Sequence, residues 1–161
     1  MRFLILLLLL SLPAHAQTPF VSTRSVSMNV RGVYQIRETT NGVPFSVFDL
    51  LIPTNTCGAI VCDFSAETSA GPERAIQSGQ IRMIAMNIGG VITAETITAN
   101  LAELDSGGAL VVTPGNITTS TMITLRVTMS DATRTNRVFN YRVTNLDTNI
   151  VAAPYGLPLL P

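Results

Sequence analysis

The chain contains no lysine and no tryptophan, and its only histidine is His15. Without lysine there is no Schiff base and no P-loop phosphate contact. His15 falls in a segment expected to be cleaved off, so the mature chain has no imidazole for a Ser-His-Asp or Cys-His mechanism or for a histidine metal site. Charge is scarce too: ten basic and ten acidic residues, 12% of the chain, cancel to zero. No basic stripe marks a nucleic-acid partner. Carboxylates, hydroxyls, tyrosines and arginines remain, which leaves a paired-carboxylate hydrolase as the one ordinary enzyme class open. The acids stand singly beside turn residues, the pattern of solvated strand ends. No catalytic residue, cofactor or metal set is predicted.

A long apolar run is also missing. The stretch from Phe3 to Leu12, interrupted only by Ser11, covers ten residues. As a helix it would reach about 15 Å, half of a hydrocarbon core roughly 30 Å thick. Arg2 before it and Pro13-Ala14-His15-Ala16 after it are the parts of a secretory signal peptide over 1–16, with cleavage between Ala16 and Gln17. The expected product is extracytoplasmic, periplasmic or secreted to the cell surface, and bacterial, with no transmembrane span after cleavage. Removing 16 of 161 residues leaves 145, enough for one domain with a sizeable core. That domain is expected over 17–149, followed by an apolar, Pro-rich tail over 150–161.

Cysteine is limited to Cys57 and Cys62 in "NTCGAIVCDF". Two thiolates without histidine are too few for a four-ligand zinc site, and four intervening residues do not match the two of a redox pair. In an oxidising compartment they are expected to form an intrachain disulfide. Five extended steps would hold the Cα atoms about 16 Å apart, whereas a disulfide needs roughly 4.4–6.8 Å, so Gly58 to Val61 would have to fold into a tight loop. Such a corner would present Ile60 and Val61 either outward, as an apolar knob for a partner, or inward to finish the core.

What the chain does have is strand-like alternation. Val26, Met28, Val30, Tyr34 and Ile36 share one face of a predicted strand, with Gly32 suggesting a bulge. Asn41-Gly42 predicts a hairpin turn before a strand over Phe45 to Ile52. Thr68 to Gly79 reads as a polar connection, and Ile81 to Ile88 as a central strand apolar on both faces. In "TAETITANLAELDSGG", Ile97, Leu101 and Leu104 at i, i+4 and i+7 before Gly107-Gly108 fit a short helix, while Thr and Ile favour strand; the balance reads as strand with a helical turn near Asn100 to Leu104. Thr121 to Met129 and "RVFNYRV" predict two strands joined as an antiparallel hairpin through "SDATRTN". Many short strands separated by turns predict an all-β protein: a single antiparallel β-sandwich with at most one short helix.

The run "LVVTPGNITTSTMITLRVTMSDATRTNRVFNYRVTN", Leu110 to Asn145, resembles the closing strands of bacterial immunoglobulin-like and cadherin-like sandwich domains. The resemblance implies an immunoglobulin-like sandwich and no particular activity. It departs from the calcium-binding members, which use clustered acids, because Asp131 stands alone in its loop. Asp105, Asp131 and Asp147 are the acids that could still converge on a cation.

Export and the lack of catalytic side chains point first to a structural or adhesive subunit of a surface or envelope assembly, with a protein partner. Tyr155, Leu157, Leu159 and Leu160 in the uncharged tail join Ile60 and Val61 as candidate contacts. The alternative is a carbohydrate-binding module using Tyr34, Tyr141 and Tyr155, and the carboxylate hydrolase comes last.

Overall fold

The computed structural model describes residues 25–28, 33–38, 40–106, 110–146 and 150–155. The expectations for Ala16, Gln17, Gly32, Asp147, Leu157, Leu159 and Leu160 lie outside them. The described residues form ten strands and no helix: β1 (Ser25–Met28), β2 (Tyr34–Glu38), β3 (Phe45–Leu51), β4 (Thr56–Ala70), β5 (Glu73–Ile88), β6 (Val91–Asp105), β7 (Val111–Thr118), β8 (Met122–Ser130), β9 (Asn136–Asn145) and β10 (Val151–Pro154). They make two antiparallel sheets, a six-stranded one ordered β1-β2-β9-β4-β5-β6 and a four-stranded one ordered β10-β3-β8-β7.

Period-two patterning sets the inner faces. Along β8, Ile123, Leu125, Val127 and Met129 are buried, as the alternation predicts. They meet Ile60, Cys62, Phe64 and Ala66 of β4 and Ile81, Met83 and Ala85 of β5 in one core. Phe139 of β9 lies at the centre of an aromatic cluster, stacked on Phe64 at 5.5 Å and edge-on to Phe45 at 5.7 Å. In β3 the register against β8 slips between Ser46 and Phe48, a bulge that lets the consecutive Val47 and Phe48 both be buried. The Val47 carbonyl accepts the Tyr141 hydroxyl at 2.8 Å, which ties the two sheets together, and the Tyr155 amide at 3.1 Å within its own sheet.

Several elements differ from the sequence reading. The strand expected from Val26 to Ile36 is two strands folded back on each other, with Val26 opposite Ile36 and Met28 opposite Tyr34; period-two alternation in the letters reads the same along one strand as along two. Asn41-Gly42 does turn the chain, with Gly42 at φ 68, but it leads from one sheet to the other. The β8–β9 hairpin is likewise a crossing between sheets: β8 pairs with β3 and β7, and β9 pairs with β2 and β4. Thr68 to Gly79 is strand except at a turn whose Gly71 has φ 56, because alternation continues through it: Thr68, Ala75 and Gln77 point in, while Arg74 and Ile76 are exposed. The helical turn near Asn100 is instead an irregularity in β6, with Asn100 at φ 54. Finally, residues 150–154 belong to the domain: β10 pairs with β3, and Ile150 is buried.

Candidate functional site

The cysteine expectation is overturned by the straightness of β4. Cys57 pairs with Met86 and Cys62 with Ile81 in one unbroken ladder. Five steps is an odd number, so the two side chains leave opposite faces, and both thiols are free. Cys57 is exposed, whereas burial, and after it the neighbouring Asp63 charge, pushes the Cys62 thiol above its ordinary value. With no corner there is no knob: Ile60 is core, and Val61 is half-buried on the outer face. The apolar run Gly58 to Val61 carried the strand signal, which the expected disulfide had overridden.

Two of the three acids proposed to share a cation do converge, but on Arg134. Its side chain is fully buried and bridges Asp105, at the end of β6, to Asp131, 2.7 Å from Nη1. Asp131 Oδ2 also accepts the Thr68 hydroxyl, while Oδ1 accepts the Thr133 amide and hydroxyl at 3.0 Å and the Arg134 amide at 3.2 Å. Burial pushes the Asp131 carboxyl up, but the hydrogen bonds from Thr68, Arg134 and Thr133 outweigh it and hold it well below the usual carboxylate range. Those same acids, Asp131 first and Asp105 next, raise Arg134. A carboxylate held ionised in this way is a poor general acid, and the guanidinium fills the place a cation would take. No group of three metal-ligating side chains is found among the described residues. The cluster closes the β8–β9 crossing, helped by the Asn41 side chain, which accepts the Asp131 amide at 2.8 Å.

The tyrosines proposed as sugar platforms face inward in part. Tyr141 is core and stacks at 5.4 Å on the half-buried Tyr34, leaving Tyr155 as the exposed ring.

The feature that stands out is one the sequence analysis assigned to the interior. The strand Ile81 to Ile88 is central in its sheet but not covered on both faces: Ile81, Met83 and Ala85 point into the core, while Ile84 and Met86 are 56% and 45% exposed. Beside them on the outer face lie Ile97 of β6, 50% exposed, and Leu146 just beyond β9, 64% exposed. Cys57, Ala59, Ile84, Met86, Thr93 and Leu146 line a shallow hollow of ≈ 700 Å³ there. Polar side chains occupy the next part of the same face, where Asp63 receives Gln80 at 2.9 Å and Arg142 at 3.3 Å. They separate this apolar area from a second exposed group, Ile76, Leu101 and Leu104, at the far end of the layer. Alternation alone flagged that β5 has two apolar rows; which row the second sheet covers depends on tertiary packing.

No family model matches the chain, and no curated protein matches it. Among solved structures it is similar to the tailspike protein of Acinetobacter baumannii phage AM24, at a TM-score of 0.39 and 8% sequence identity over 81% of this chain. The match spans 28% of the tailspike chain's length.

Proposed function

We propose that this chain is an exported, non-catalytic, immunoglobulin-like β-sandwich that serves as a structural or adhesive subunit of a surface or envelope assembly. The observation that carries the reading is the bare apolar end of the large sheet. A contiguous exposed apolar patch on a protein with a complete core of its own marks a contact with another molecule. The assignment of Asp105 and Asp131 to Arg134 supports a structural rather than a catalytic use of the acids. The inward placement of Tyr141 favours assembly over carbohydrate binding.

The test is to express the full chain with an epitope tag in its source cell, fractionate the cell, and sequence the N-terminus of the recovered protein. Recovery in a high-mass envelope or surface fraction with Gln17 first is the expected result. Recovery in the cytoplasm with residues 1–16 intact overturns the reading.

A further inference from the structure

We propose that the apolar outer face at the Cys57 end of the β4–β5–β6 layer is the contact between two copies of this chain, related by a twofold axis lying in the interface along the diagonal Cys57–Ile84–Ile97. The inference rests on the assembly reading and names its partner. Strand register defines the diagonal. Cys57 stands opposite Met86, Ile84 is two residues along β5 and opposite Glu95, and Ile97 is two residues along β6 and opposite Arg82. Neighbouring strands lie about 4.8 Å apart, and residues two apart on a strand about 6.8 Å. Each step across the layer therefore repeats the last, and the three residues fall on one line.

An in-plane twofold sets every residue on its axis against its own copy and every other residue against its mirror position. Arg82 and Glu95 lie on opposite sides of the line at nearly equal distances, so each Arg82 meets the other copy's Glu95, twice. Neither has an ion-pair partner among the described residues; Arg82 reaches only Gln80 Oε1, at 3.3 Å. Met86 mirrors onto the neighbourhood of Ala59, a long side chain over the small one that floors the hollow. Leu146 falls near Thr93. Large meets small and plus meets minus under a single operation, and that self-complementarity selects a second copy over an unrelated protein.

Sedimentation velocity on the purified chain over a range of concentrations tests the geometry. A reversible monomer–dimer equilibrium is expected. Ile84→Arg abolishes it while circular dichroism stays unchanged. Arg82→Glu weakens it about tenfold, and adding Glu95→Arg restores it, since reversing both charges recreates the pair. A short bis-maleimide links the wild-type dimer through Cys57, and Cys57→Ser removes the link. A chain that stays monomeric with Cys57 freely alkylated overturns the proposal. So does a monomer with Cys57 shielded, which would mean that the chain's own remaining residues cover the face. So does a dimer that ignores Ile84→Arg and the charge swap. If the wild-type monomer, but not Ile84→Arg, is retained in the envelope fraction, the partner is a different protein and only the self-contact falls. If the dimer forms as drawn but the protein is cytoplasmic, only the assembly reading falls.

Discussion

Asp131 illustrates how one side chain can set both a loop and a pH limit. Its two oxygens accept five hydrogen bonds, four of them from residues 133 and 134 of its own loop. Because the folded carboxyl lies below its ordinary value of 3.8, the unfolded chain takes up the proton first as the pH falls. The stabilisation is therefore complete above that ordinary value and is lost progressively below it, down to the folded value. Urea unfolding between pH 7 and 3 should show the midpoint dropping below about pH 5. Thr68→Val removes one of the five bonds; it should cost about 1–3 kcal/mol at pH 7 and move the acid limb to higher pH. Cys62 gives the opposite sign. Its thiol is raised, so stability is full below the ordinary value of 9.0 and declines above it, where the unfolded chain ionises first. In dilute protein a thiol reagent should modify Cys57 at once and Cys62 only with unfolding. Two equally fast thiols would contradict the placement of Cys62 in the core, and two that stay unreactive even in the unfolded, unreduced chain would restore the disulfide.

Among the elements, β6 is the one whose irregularity can be tested directly. Opposite the bulge that Asn100 makes, Gly79 leaves room that a Cβ would fill, 3.0 Å from the Ala99 carbonyl oxygen and 2.8 Å from Leu101 Cδ2. The leucine tip can move, but the carbonyl is ladder backbone. Gly79→Ala should therefore destabilise by about 1–3 kcal/mol in urea titration, with the cost borne in the β5–β6 ladder. The same segment shows what was legible in the letters. Thr and Ile made "TAETITANLAELD" strand, and the competing helical periodicity marked the spot where the ladder slips, without revealing the left-handed Asn100 as the means. β3 and β8 were readable for a simpler reason: each carries an apolar row buried by the opposite sheet. Pairing was less legible. Met129 and Arg137 flank a short polar loop that looks like a hairpin, yet Asp131 and Arg134 turn it into a crossing through buried bonds that local pattern does not encode. The exposed row Ile84–Met86 was misassigned because an apolar residue in a strand looks the same whether the second sheet or a second molecule covers it.

At the scale of the whole molecule, the smaller sheet depends on its last strand. β10 runs along β3 from Val151 opposite Leu51 to Pro154 opposite Phe48, and the Tyr155 amide extends the contact to Val47. Without it β3 would become an open edge of mostly buried residues, Val47, Phe48 and Leu50 among them, which is the condition for pairing with stray strands. Ending the chain at residue 149 should therefore lower stability well beyond the loss of one core side chain and make the protein aggregate at concentrations the full chain tolerates. Ile150→Ala in the full chain supplies the comparison, because it removes buried volume and leaves the ladder in place. That substitution should cost about 2–5 kcal/mol and leave the protein soluble. The difference between the two urea midpoints then measures what the strand itself contributes. If the truncated chain is no less stable than Ile150→Ala and stays soluble, residues 151–155 are an appendage rather than the closing edge of the sheet, and the domain ends where the sequence alone had placed it.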